Sequence, residues 1–180
     1  MVRRQVCSFD ILKSEKMKYI NETVRRRDRL MDEARARELL ESREYGVLSM
    51  VTPEGDPYGI PVNMIWDGRE SLYIHCAPVG RKLDALAVNP KVSVCFVGHT
   101  KPLPVKFTTE YESVVVSGTA HFHLTDEEKM DALHRLVDKY SPDFKALGDK
   151  YAHKSFHRVE VIRIDIETFS GKCKHVPTAD

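Results

Sequence analysis

The stretch Leu72-Tyr73-Ile74-His75-Cys76-Ala77-Pro78-Val79-Gly80-Arg81-Lys82-Leu83-Asp84-Ala85-Leu86 holds the residues best placed to do chemistry. A strand pattern ends at Cys76, a turn containing Gly80 follows, and two adjacent cations open a helical pattern. Free N–H groups and the positive dipole end at a helix start favour an anion. Arg81 can grip a phosphate with its planar fork, and Lys82 adds a point charge. A phosphate site and a pair of solvated surface cations both fit these residues. Cys76, beside the cationic turn, is either a reactive thiol or a packing residue at a strand end.

Other chemistries find less support. His121-x-His123 and His153-xxx-His157 have spacings that can present two imidazoles together. Neither has a cysteine or carboxylate that completes a recognisable set, so no metal site is assigned. There is no Gly-x-Ser-x-Gly elbow, no dinucleotide fingerprint and no P-loop. The four cysteines, 7, 76, 95 and 173, contain no CxxC pair, which reads as a reduced, cytoplasmic chain.

Composition narrows the class. Of 180 residues, 42% are apolar and 31% charged, as in a globular chain. The net charge is only +1, which argues against nucleic acid or a membrane surface as the partner. No apolar run reaches the ~18–20 residues of a membrane span. Charges interrupt the first residues, which do not read as a signal peptide.

The elements that must position the cationic turn are mostly strands. Residues 1–27, ending in Arg25-Arg26-Arg27, read as an arm outside the compact fold, and residues 28–180 as a single domain. A helix is expected from the N-cap Asp32 to about Arg43. Strands are expected at Tyr45–Thr52, Tyr58–Trp66 and Ser71–Cys76, joined as a meander because the connections are short. A short helix over Gly80–Val88 stops at Asn89-Pro90. Lys91–Val97 is a fourth strand, His99–Pro104 a loop, and Tyr111–Leu124 a fifth strand that Gly118 bends. Thr125 to Glu128 is a capping box that opens a helix to Tyr140. The last strand, Arg158–Phe169, changes apolar phase at Val161-Ile162, as a strand does at a bulge or between two apolar environments. The sum is mainly β with flanking helices, a small antiparallel barrel of about six strands.

Together with Tyr58-Gly59-Ile60-Pro61-Val62-Asn63 and Asn89-Pro90, the Gly80-Arg81-Lys82 stretch resembles the pyridoxamine 5′-phosphate oxidase-like, FMN-binding split-barrel superfamily. Within it the chain is most similar to the 5-nitroimidazole-resistance group of flavin-dependent reductases. Arg26-Arg27-Asp28-Arg29 and Tyr111-Glu112-Ser113-Val114-Val115-Val116-Ser117-Gly118 also look like that group. The resemblance implies a six-stranded split barrel, a homodimer, and two FMN sites between subunits. It implies that Arg81 and Lys82 bind the FMN phosphate, with Pro61, Val62 and Asn63 along the isoalloxazine. His75 and Cys76 would flank the ribityl-phosphate end, while Ser113 and Lys172 would approach from the groove edge or the second subunit. The basic residues with which the oxidase holds pyridoxal phosphate find no counterpart. The implied activity is transfer of electrons from a reduced nicotinamide to a small acceptor such as a nitroaromatic, with His75 as the candidate proton donor. The alternative is a barrel that holds FMN or haem without turnover, with His75, His121 or His123 offering an axial nitrogen.

Overall fold

The computed structural model describes residues 17–22 and 24–177. Every second residue of β2 (Tyr45–Val51) is buried, and β3 (Pro57–Asn63) pairs with it along its whole length. The pattern does not continue to Trp66 as one strand. It breaks at Met64, and β4 (Ile65–Trp66) pairs instead with β5 (Ser71–Cys76). With β6 (Lys91–Leu103), β7 (Thr108–His121) and β8 (Glu160–Lys174), the sheet order is β3-β2-β6-β7-β8-β5-β4. β3 and β4 are therefore at opposite ends of an open sheet, and the expected three-stranded meander does not form. The sheet has eight strands, counting β1 (Lys18–Tyr19), which pairs in parallel with β8. The rise above about six comes from that added strand and from the break at Met64. The class is as expected: mainly β, antiparallel and split.

The break at Met64 is held by side chains from a helix. Met64 is almost fully buried, and a buried backbone group without a partner costs about 1–3 kcal/mol. Its N–H donates to Tyr140 Oη at 3.0 Å, and its carbonyl accepts from Lys139 Nζ at 3.2 Å. Lys139 Nζ also donates to the Arg43 carbonyl, 2.7 Å away. Both residues lie at the end of α3 (Asp126–Tyr140), which Thr125 caps by accepting from Glu128 N.

Three further helices border the sheet. Asp32 caps α1 (Glu33–Ser42), accepting from Arg35 N at 2.9 Å, and Arg35 forks onto the buried Glu112 of β7 at 2.8 and 3.0 Å. α2 (Arg81–Val88) buries Leu83, Ala85 and Leu86 and ends at Asn89. α4 (Lys145–Ser155) has no counterpart in the sequence reading. The described residues 17–22 and 24–27 are not a free arm: Met17 and Val24 are buried and Lys18–Tyr19 lies along β8, because the apolar residues there find open core edge. Residues 1–16 lie outside the described residues. The expected loop at His99–Pro104 is largely strand, since β6 runs to Leu103 after a register shift beyond Val97, and Pro104 opens the turn. Among the described residues, no helix is long and apolar enough to cross a membrane.

The phase change in the last strand has a simple cause. Val161 packs into an apolar cluster under α3 and α4, while the neighbouring Ile162 points to the main core, so β8 is buried on both faces there. The register of β7 against β8 shifts between Ser117 and Gly118. A Cβ on Gly118 would stand 2.2 Å from the Asp165 carbonyl oxygen, so only glycine allows this approach. Gly118→Ala is accordingly expected to cost about 2–3 kcal/mol, read as a lowered urea midpoint. An unchanged midpoint would remove the close approach as the reason for glycine.

Candidate functional site

The split originates in strand register. β4 faces β5 only through Ile65↔Tyr73 and Trp66↔Leu72, and continuing that register would set Asn63 opposite His75. Asn63 instead pairs with Tyr45 and donates from Nδ2 to the Glu44 carbonyl at 3.1 Å. His75 and Cys76 keep only β8 as a partner, opposite Val161 and Glu160. The two banks of the sheet thus diverge between Asn63 and His75. Pro61 sits on β3, the terminal strand, where a missing N–H leaves no ladder bond unmade. Its neighbour Val62 is half-buried and packs on the core.

After Cys76 the chain turns through Gly80, whose φ of +138° lies in the region that favours glycine. Leu83 N and Asp84 N donate to Gly80 O, opening α2. The Arg81 guanidinium lies 4.4 Å from the Tyr58 ring centroid, so the start of α2 reaches β3. Such a contact contributes ~0.5–1 kcal/mol at an exposed site and orients the fork. Lys82 is close enough to the end of β5 for its positive charge to act on both His75 and Cys76.

The electrostatics separate the roles of His75 and Cys76. Burial, opposed by Lys82 and assisted by the Glu160 carboxylate, pushes the Cys76 thiol up, so it stays protonated near neutral pH. Its side chain packs on the core, which favours the packing reading. Partial enclosure by the surrounding walls, followed by the Lys82 charge, holds the His75 imidazole below its ordinary value although the residue still meets solvent. A neutral imidazole offers one N–H and one lone pair.

Lys82, His75 and Cys76 are brought together, Arg81 beside them turns to Tyr58, and Asn63 lines the same cavity as His75. Ser113 and Lys172 pair with one another across β7 and β8. Lys172 lies about 35 Å along β8 from Val161, the partner of His75, at ~3.3 Å per residue. His121 stands 3.2 Å from Asp165, whereas His123 lies beyond β7 at φ +60° and pairs with Glu160 at 3.0 Å. Their imidazoles do not converge, because β7 ends between them. His153 lies on α4 and meets His134, whereas His157 stacks beside Phe156.

The sequence reading missed Tyr58, whose role depends on a non-local approach, and a cavity of about 680 Å³ between α3 and α4. Asn63 and His75 line one end of that cavity. Leu147 and Tyr151, one helical turn apart, are its only local trace in α4.

Residues 32–173 match the family model for pyridoxamine 5′-phosphate oxidase, and the chain belongs to that family. No curated protein matches the chain in sequence. Its fold is similar to a Bacteroides thetaiotaomicron protein assigned to 5-nitroimidazole antibiotic resistance, with 22% identity, coverage of 81% of this chain and 86% of that one, and a TM-score of 0.65. It is also similar to the FAD- and haem-binding protein of Mycobacterium smegmatis, with 21% identity, 83% and 74% coverage, and a TM-score of 0.70. The haem storage protein HutZ of Vibrio cholerae shares 16% identity over 78% of this chain and 94% of its own, with a TM-score of 0.59.

Because Lys82 is one cause of the depressed His75 value, Lys82→Gln is expected to raise the pKa of His75 toward the ordinary imidazole range. The depressed value also carries a sign for stability. The unfolded chain binds the proton more readily, so His75 lowers stability as pH falls below ~6.5, and His75→Gln should flatten that loss. NMR titration of the His75 ring in both proteins checks the first effect, and an unmoved value would place Lys82 away from the ring.

Proposed function

We propose that the chain is an FMN-dependent oxidoreductase, with the flavin seated in the split between β3 and the end of β5. The observation that carries this reading is the pair of cations at the opening of α2 close to His75, with His75 and Asn63 lining one cavity where the sheet splits. The residues fit the cofactor in kind. Arg81, steadied on Tyr58, and Lys82 would hold the phosphate beside the N–H groups that open α2. Pro61, Val62 and Asn63 would border the ring, with Asn63 fixed through the Glu44 carbonyl. Bound flavin supplies two-electron chemistry between a reduced nicotinamide and a small acceptor such as a nitroaromatic. His75, neutral and open to solvent, would donate a hydrogen bond to the acceptor. The free thiols of Cys76, Cys95 and Cys173 suit a cytoplasmic setting.

Each charge-assisted bond contributes roughly 1.5–3 kcal/mol, and ~1.4 kcal/mol is tenfold in affinity. Arg81→Ala combined with Lys82→Ala is therefore expected to weaken FMN binding at least about a hundredfold. Riboflavin, which lacks the phosphate, should bind both proteins almost equally poorly. Fluorescence titration with both ligands decides it: a double variant that keeps the preference for FMN over riboflavin places the phosphate elsewhere.

The active form in this proposal is a homodimer. The outer face of β2, β6 and β7 exposes Val51, Val97 and Val115 among small serines, a flat surface suited to a second copy. Ser113 on β7 and Lys172 on the adjacent β8 would then approach the split of the partner. Obligate interfaces of this kind bury upwards of ~2,000 Å². Light scattering is expected to return twice the 20.7 kDa of one chain, and a flavin-loaded monomer would sink the shared site.

A second reading, haem binding without turnover, is favoured by the neutral His75 imidazole at the rim of an apolar cavity. The visible spectrum of the purified protein separates flavin from haem.

A further inference from the structure

We infer that the cavity between α3 and α4 is a binding compartment for an uncharged, predominantly apolar aromatic molecule. Its identity as the acceptor rests on the flavin reading above; its chemistry as a pocket does not.

The lining sets the class of ligand. Leu133 and Leu136, 8% and 6% exposed, form a closed floor with Val137. Phe144, just before α4, and Leu147 and Tyr151 within it, each about two-thirds exposed, stand as a wall on one side. No Asp, Glu, Lys or Arg lines the cavity among the described residues, so a charged ligand would lose its hydration without gaining a partner. Two of the lining hydroxyls are already engaged, Tyr140 Oη with Met64 and Ser155 Oγ with the Tyr151 carbonyl at 2.7 Å. A neighbouring depression lined by Glu41, Arg135, Asp138 and Lys139 is of the opposite character.

Position and shape supply the second argument. A volume of about 680 Å³ lies within the ~300–1,000 Å³ of small-molecule sites. Asn63 and His75, from the two banks that part at the split, are both among its lining residues, so the cavity reaches the split. An occupant would thus have its polar group at His75 and its apolar body between the helices. The helices are held at a fixed separation: a Cβ on Gly148 would stand 2.5 Å from Val137 Cγ1, so α4 touches α3 through a glycine. Leaving three large apolar side chains in water on one helical face is otherwise unrewarded, since covering each is worth ~1.5–3 kcal/mol.

The test uses the full chain and the uncharged fluorophore N-phenyl-1-naphthylamine. Saturable fluorescence enhancement is expected, with displacement by uncharged 1-nitronaphthalene and at least tenfold weaker competition by anionic 1-naphthoate. Leu147→Asp with Tyr151→Asp, both at exposed positions that the core does not need, should weaken probe binding at least tenfold while FMN affinity is retained. If FMN fails to bind the wild type but the probe binds and responds to the variant, the flavin reading falls and the pocket stands. The inference is overturned if no probe binds, if the variant binds it as tightly as the wild type, or if FMN or haemin alone displaces it. It is equally overturned if the probe fails to bind and light scattering shows that the variant lowers the oligomeric state, which would make the wall a subunit contact.

Discussion

The arrangement depends on one backbone position that the sheet cannot satisfy. At Met64 the chain leaves one end of the sheet and joins the other, so no ladder is available to its N–H and C=O groups. Tyr140 and Lys139, far along the chain on α3, take that place. If the strand ran on along β5, Asn63 would lie opposite His75 and the gap between them would vanish. The same bonds dock the end of α3 against the sheet, which fixes one wall of the apolar cavity. A closed barrel would be better hydrogen-bonded and would have no place for a ligand.

The site divides into two electrostatic halves over a short distance. At one end Arg81 and Lys82 concentrate positive charge near the start of α2; at the other, the cavity between the helices carries none among its described lining residues. His75 lies where the halves meet, and Lys82 together with partial enclosure keeps it uncharged. The protonated Cys76 beside it packs on the core and serves as filling.

What the residues revealed followed the range of the forces involved. Caps and stops are local, so Asp32, Thr125 with Glu128, and Asn89-Pro90 bounded α1, α3 and α2 closely. The cationic turn was legible for the same reason, because a strand end, a glycine and two cations are contiguous. The break at Met64 was not, since neither glycine nor proline marks it and its cause is a tyrosine on a distant helix. Short connections suggested a meander, yet connection length limits which strands can be neighbours without requiring that they pair. α4 escaped notice because Gly148 interrupts it and because its apolar side faces an open cavity, leaving only a thin stripe. Prolines 102 and 104 disguised the end of β6, where pairing with β7 continues through Pro102 opposite Thr109.

The burial of β8 on both faces bears on how the molecule assembles. This strand is last in chain order, yet it pairs with β1, β5 and β7, and its Val161 and Ile162 belong to different apolar clusters. Before it docks, the β3-β2-β6-β7 portion and the β4-β5 hairpin have no shared edge, and α3 and α4 lack the surface on which they rest. Formation of the native state is thus dominated by contacts distant in sequence, the circumstance that slows folding into the range of milliseconds to seconds. During that interval β5 and β7 expose unpaired, apolar edges, the kind of surface on which association between incomplete chains begins.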